Sequence, residues 1–396
     1  MTPRPEAPAP LSRRGPRPLM LHLGLAMMKL SSSTAASLNW SAAWPNLAPE
    51  PLPPPETLEA LLRADRELIA GIAAYRAAPY MREMRDPPCL WEEQETRLLD
   101  YGGPSAESGG TAILFVPSLI NRAYVLDLME NASMLRWLSA QGLHPYLLDW
   151  GWPGAVERQF SLTDYIAGRL ERAIAAVPGP VVLAGYCMGG LLALAATQRF
   201  QALGSSKIRA LALLATPWDF HAADPGLAQR MNNALPMMEA MMQVSGTLPI
   251  DALNTLFTLV DPYGVGDKFR DFARQDKSLP RAKRFVAMED WLADGVPLAA
   301  PVARETLRGW YGENTPGRGV WRVAGMAVAP QQLTLPVFCA YPLRDRLVPA
   351  ASARALATLL PHAHVLEPDT GHVGMVAGTR AESALWRPFA DWVHRL

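Results

Sequence analysis

The stretch "VVLAGYCMGGLLAL", Val181–Leu194, changes period halfway along. Its first half is continuous and apolar, as a strand buried on both faces should be, and its second half has the leucine and alanine spacing of a helix. Gly185, Gly189 and Gly190 bracket the change. A chain that turns from strand to helix within one residue presses backbone against backbone, where glycine alone leaves room. The spacing predicts a strand ending at Tyr186, a tight turn at Cys187 and a helix over Met188–Leu203.

The same alternation extends outward. From about Thr111, the runs "TAILFVP", "HPYLLDW", "PVVLAGY", "IRALALLAT", "LPVFCAY" and "AHVLEP" read as buried parallel strands. Helices are expected between and after them at Tyr124–Ala140, Leu162–Val177, Ala350–Leu360 and Thr379–Leu396. The fold class is therefore α/β, a mostly parallel sheet flanked by helices. One interval, Pro217 to about Ala329, has no clear strand and carries Met231, Met237, Met238, Met241 and Met242. It reads as an inserted, mainly helical cap, its methionines serving as core filler or as an adaptable lid. The Pro-rich stretches "MTPRPEAPAP" and "WPNLAPEPLPPPETLEA" read as tail and linker. The chain divides into an N-terminal extension (1–60), the first part of the core (61–216), the cap (217–329) and the second part of the core (330–396).

A G-x-C-x-G pattern at a strand-to-helix turn resembles the nucleophile elbow of the α/β-hydrolases, with cysteine in place of serine. Free N–H groups and the positive dipole end at the helix start favour an anion at Cys187 and an oxyanion formed beside it. The Met188 amide is one candidate donor, and the loop after "TAILFVP", at Ser118 or Leu119, is expected to supply the other. An elbow nucleophile needs an acid and then a histidine further along the chain. Asp345 in "PLRDRLVP" follows one strand and His372 in "DTGHVG" follows the next. Asp369 is a weaker candidate acid, and Asp345 has a rival reading as a surface partner of Arg344 or Arg346. His362 and His364 flank or lie in a strand, His394 falls in the last helix, and His22, His144 and His221 precede the acid. An inert packed cysteine and a solvated loop histidine are the plainer readings, but neither explains the joint order.

Lys and Arg together number 37, as do Asp and Glu, so no overall field favours nucleic acid or an anionic membrane. Cys89, Cys187 and Cys339 are odd in number and far apart, which argues against a disulfide framework or zinc site and for reduced thiols in a cytoplasm. "SRRGPRPLMLHLGLAMMKLSSSTAA" has the outline of a secretory signal, but His22 and Lys29 interrupt it. Its apolar run is too short to span a bilayer, so an amphipathic helix lying on the domain is expected there.

Six motifs in one order carry a closer likeness: "FVPSLINRAYVLDL", "LLDWGWPG", "SLTDYIAG", "GYCMGG", "RDRLVPAASARAL" and "GHVGM". From about residue 60 onward the sequence resembles the polyhydroxyalkanoate synthases. "DWGWP" and the modest length are most similar to the short class III catalytic subunit. The resemblance implies that Cys187 carries the acyl group, that His372 is its base and that Asp345 is the third member. It implies a 3-hydroxyacyl-CoA substrate, a poly-3-hydroxybutyrate-like product, no metal or redox cofactor, and a cytoplasmic place at the surface of a polyester granule. A homodimer is implied too, and the class III type works with a second synthase subunit. Such an enzyme moves an acyl group from one thioester to another, which keeps it activated; a serine ester would discard that activation. The alternative on the same scaffold is a cysteine-elbow hydrolase, an intracellular polyhydroxyalkanoate depolymerase or acyl-CoA thioesterase. A catalytically silent granule-binding protein is a further alternative. Cysteine at the elbow weighs against the first and a complete triad against the second.

Overall fold

The computed structural model describes residues 13–28, 55–102 and 110–396. Contacts divide the chain into two compact units, one of residues 1–81 and 261–293 and the other of residues 82–260 and 294–396.

The second unit holds a sheet of eight strands: β1 Cys89–Glu93, β2 Thr96–Asp100, β3 Ala112–Val116, β4 His144–Asp149, β5 Val181–Tyr186, β6 Ile208–Leu214, β7 Val337–Ala340 and β8 Ala363–Leu366. Their spatial order is β1-β2-β4-β3-β5-β6-β7-β8. β2 runs antiparallel to both β1 and β4, and every other pairing is parallel. All six expected strands are present. β5 lies between β3 and β6, and all six of its residues are buried, which explains its unbroken apolar sequence. The β1–β2 hairpin lies outside the expected set. β1 has only exposed and half-buried residues at the sheet edge, and its "WEE" ending is too polar to read as a buried strand.

The expected helix over Tyr124–Ala140 is corrected: only Met134–Ala140 is α-helical. A short 3₁₀ turn, Ala123–Leu126, and a small hairpin, Asp127–Met129 with Ala132–Ser133, precede it. The cause is Asp127, whose carboxylate is fully buried and accepts from Arg136 Nε at 2.8 Å, Arg82 Nη2 at 3.1 Å and Tyr101 Oη at 3.0 Å. A buried carboxylate needs such partners, and the hairpin brings it to them. Ser133 then caps the helix by accepting from the Arg136 amide at 3.1 Å.

Within the second unit, the Pro217–Ala329 interval supplies helices Pro225–Asn233, Leu235–Ser245, Ile250–Thr258 and Ala300–Arg304, followed by a π-helical turn, Glu305–Gly312. Strand content is confined to two-residue pairs, Thr247–Leu248 with Leu298–Ala299 and Arg322–Val323 with Met326–Ala327. Met231, Met238 and Met242 are buried, whereas Met237 and Met241 face solvent.

The first unit is helical, with helices over 19–28, Pro55–Arg76, Gly264–Arg274 and Pro280–Ala293. The stretch read as a linker therefore gives way to helix at Pro55, where proline fits because a first-turn N–H has no intrahelical partner. "MTPRPEAPAP" and the rest of that linker lie outside the described residues. Leu68, Ile72, Tyr75, Phe269, Phe272 and Val286 form the unit's core. A side chain at Gly71 would collide with the Phe269 carbonyl, so two helices meet backbone to backbone there.

Candidate active site

β5 ends at Tyr186, and Cys187 takes φ 56°, ψ −128° before the helix Met188–Ala202 begins. A non-glycine residue held in that region is strained by about 1–3 kcal/mol and persists because its surroundings leave no alternative. Those surroundings are the bracketing glycines. A Cβ at Gly185 would meet Gly190, one at Gly190 would meet the Thr216 side chain, and one at Gly189 would meet the carbonyls of Val116 and Pro117. The Cys187 amide is tied to β6 through the Leu214 carbonyl at 2.8 Å. The half-buried thiol thus stands at the C-terminal end of the central strand, over the first turn of a helix.

The Gly189 contact also presses the elbow helix against the loop after β3, which holds Ser118 and Leu119. Trp150, buried at the end of β4, fixes that loop by donating from Nε1 to the Pro117 carbonyl at 3.0 Å. Ser118 Oγ is occupied by the Ile120 amide at 3.2 Å. Among the described residues, the amides of Met188 and Leu119 have no acceptor. Two unpaired amides on adjoining backbone segments suit an oxyanion.

Asp345 comes from the loop after β7, whereas His372, expected on a loop, opens the short helix His372–Ala377 that follows β8. His372 Nδ1 donates to Asp345 Oδ2 at 2.6 Å, and the carboxylate is fully buried. Its other oxygen accepts from the amides of Leu347 at 2.8 Å and Val348 at 2.9 Å. Both carboxylate oxygens are therefore engaged, and the ring is held with its Nε2 edge away from the acid. The same imidazole lies beside the elbow, its ring centroid 5.1 Å from that of Tyr186, the residue before Cys187. Burial works against its charged form, yet the neighbouring Cys187 and Asp345 charges and the hydrogen bonds to both raise its pKa to about 10. Asp369 is ion-paired with Arg344 at the surface instead, at 2.8 Å.

Three further aromatic side chains bear on the site or its surroundings without any local pattern that assigns them a role. Tyr186 donates to the His372 carbonyl at 3.3 Å and places its ring 5.1 Å from the imidazole. Trp150 acts through the Pro117 loop. Burial, and to a lesser degree Cys187, raises the phenol of Tyr311 in the π-helical turn above its usual range. Tyr186 and Trp150 fall inside quoted motifs, but only packing reveals what they touch. The other two cysteines are placed differently: Cys89 is exposed, and burial pushes the Cys339 thiol up to about 12. No group of three or more His, Cys, Asp or Glu among the described residues is placed to hold a metal ion. None of their helices is long and apolar enough to cross a membrane.

The chain is similar to several proteins named poly(3-hydroxyalkanoate) polymerase subunit PhaC. It is 28% identical over 313 residues to that of Haloferax mediterranei, covering 76% of this chain and 62% of the relative. It is 29% identical over 315 residues to that of Allochromatium vinosum, covering 77% and 87%. It is 29% identical over 294 residues to that of a Synechocystis species, covering 71% and 77%. The chain thus spans less than two thirds of the haloarchaeal relative's length and most of the Allochromatium one's. Residues 113–383 match the Alpha/beta hydrolase family, a span that takes in the parallel strands, the elbow, Asp345 and His372, and the chain belongs to that family.

Proposed function

We propose that the chain is a polyhydroxyalkanoate synthase, an acyltransferase that joins 3-hydroxyacyl groups from coenzyme A thioesters into a polyester. The observation that carries this reading is cysteine rather than serine at the elbow, following Tyr186, whose ring lies 5.1 Å from a histidine that an aspartate holds at 2.6 Å. The likeness to PhaC proteins supports it.

In the proposed reaction His372 takes the Cys187 proton, and the sulfur attacks the thioester carbonyl. The carbonyl oxygen becomes an anion stabilised by the amides of Met188 and Leu119. The C–S bond to coenzyme A breaks, its sulfur takes the proton from His372, and the acyl group stays on Cys187. The hydroxyl of a second 3-hydroxyacyl-CoA then gives its proton to His372 and attacks the Cys187 thioester. Cys187 leaves and is reprotonated, and the lengthened acyl-CoA can reload. Asp345 orients the imidazole and stabilises its charged form. The reaction so written uses no metal or redox cofactor. The helices that the 217–329 interval contributes to the second unit serve as the cover that keeps water from the acyl-enzyme. The proposed setting is cytoplasmic, at the surface of the polyester granule, as a homodimer and with a second synthase subunit.

The test follows the acyl group. The purified chain, given 3-hydroxybutyryl-CoA, should carry an adduct on Cys187 and form polymer after a lag, and Cys187→Ala should do neither. Coenzyme A release matched mole for mole by free 3-hydroxybutyrate, with no oligomer on the protein, would replace the synthase reading with a thioesterase.

A further inference from the structure

Tyr186 is the last residue of β5, the chain neighbour of Cys187, and buried. Its hydroxyl donates to the His372 carbonyl at 3.3 Å, and its ring lies 5.1 Å from the imidazole at a tilt of 34°. One side chain therefore holds His372 twice, by its backbone and by the face of its ring. The other restraints on the histidine are weaker than they look. Asp345 grips Nδ1 at 2.6 Å, but one hydrogen bond leaves a ring free to pivot about it. The His372 backbone opens a helix of only six residues behind Gly371, and helix ends fray. Tyr186, by contrast, sits on a fixed support: it lies opposite Leu214 of β6, whose carbonyl also accepts from the Cys187 amide at 2.8 Å.

A base serves a thiol only while its ring keeps the right place and angle, and small displacements cost rate steeply. Cys187 follows β5, whereas Asp345 and His372 follow β7 and β8, so nucleophile and base hang from different strands. Tyr186 ties the base to the nucleophile's own strand. Its ring also offers an electron-rich face to an imidazole that turns positive on taking a proton. Asp345 and Cys187 are the other groups that bear on that charge. The phenol does not compete for the proton, because burial raises it well above its usual range and keeps it neutral.

We propose that Tyr186 is a positioning residue: its hydroxyl and ring hold the His372 imidazole beside the nucleophile's strand and stabilise the imidazolium formed when Cys187 gives up its proton. The assignment rests on the reading of His372 as the base of Cys187. Tyr186→Phe removes the hydroxyl and keeps the ring; Tyr186→Leu removes both. Alkylation of Cys187 by iodoacetamide, followed by peptide mass spectrometry and taken per folded molecule, reports the base whatever becomes of an acyl group, and NMR titration reports His372 itself. Phenylalanine should slow alkylation roughly three- to ten-fold, the worth of one neutral hydrogen bond, with the His372 titration in place. Leucine should slow it further and lower the His372 pKa by about half a unit, the worth of a cation on an aromatic face. In turnover of 3-hydroxybutyryl-CoA, kcat should fall with KM kept. Rates that fall only with the folded fraction, or a His372 titration unmoved by leucine, would make Tyr186 a packing residue and overturn the assignment. If His372→Gln leaves Cys187 alkylation unchanged, His372 is not the base and the assignment falls with that reading. If the wild type takes no acyl group from 3-hydroxybutyryl-CoA but its alkylation responds to both Tyr186 variants as stated, the assignment stands and the synthase reading falls.

Discussion

His372 is pulled in opposite directions by its surroundings: burial disfavours the imidazolium, while Cys187, Asp345 and the hydrogen bonds to both favour it, with a net rise to about 10. A histidine whose folded pKa lies above its unfolded value of 6.5 stabilises the fold fully below that value, and the contribution disappears as pH rises through about 10. Asp345→Asn removes one charge and the acceptor at Nδ1, so the His372 pKa should fall. Cys187→Ala should move it in the same direction. NMR titration of the imidazole in each variant checks the shift, and the decline in melting temperature between pH 6.5 and 10 should flatten. An unmoved titration in Asp345→Asn would mean that the 2.6 Å contact does not govern the ring. At this scale the cysteine, acid and histidine were legible because each follows a strand in a required order. Tyr186 was not, since packing against an imidazole from a distant segment leaves no local pattern.

Among the elements, the strand–elbow–helix unit was readable because its glycines answer to contacts that are fixed in advance. Gly189 faces two backbone carbonyls, of Val116 and Pro117, and neither can retreat far, since Trp150 holds the second at 3.0 Å. Gly189→Ala should cost about 1–3 kcal/mol and part the elbow from the loop carrying Leu119. Acylation of Cys187 should therefore slow even in the folded fraction. Gly374→Ala is the contrasting change, because its added carbon comes no nearer than 4.0 Å to the Thr370 side chain in a short helix. It should be neutral or slightly stabilising. Chemical denaturation and Cys187 labelling of the two variants measure the difference; similar losses in both would show that the collision is relieved without moving the loop. The segment Tyr124–Ala140 misled for the converse reason. Its apolar spacing fits a helix, but the buried Asp127 demands partners at Arg82, Tyr101 and Arg136, and two of these lie far off in sequence.

At the level of the whole molecule, the strand order follows from short parallel crossovers, which is why six apolar runs sufficed to anticipate an α/β sheet. The grouping of residues 261–293 with the N-terminal segment had no such guide, because it depends on distant pairings. One of them is Arg13, which meets Asp290 at 2.9 Å and donates to the carbonyls of Ala78 and Tyr80. Tyr75 donates to the same carboxylate at 2.8 Å. Burial raises the Asp290 pKa, while Tyr75 and Arg13 restrain the rise. Arg13→Ala should lift it further. For a carboxylate raised in this way, the stabilising contribution is complete below its unfolded value and is lost as pH climbs through the folded one. The variant's deficit should therefore be small in acid and grow toward neutral pH, reaching about 1 kcal/mol for a pair that water partly reaches. Hydrogen exchange provides the readout: amides of Gly264–Arg274 and Pro280–Ala293 should exchange roughly five-fold faster at neutral pH, while those of β5 and β6 keep their protection. Equal loss of protection in the sheet would show that the helical unit does not open by itself, and an equal deficit at acid pH would show that Arg13 acts through the Ala78 and Tyr80 carbonyls rather than through Asp290.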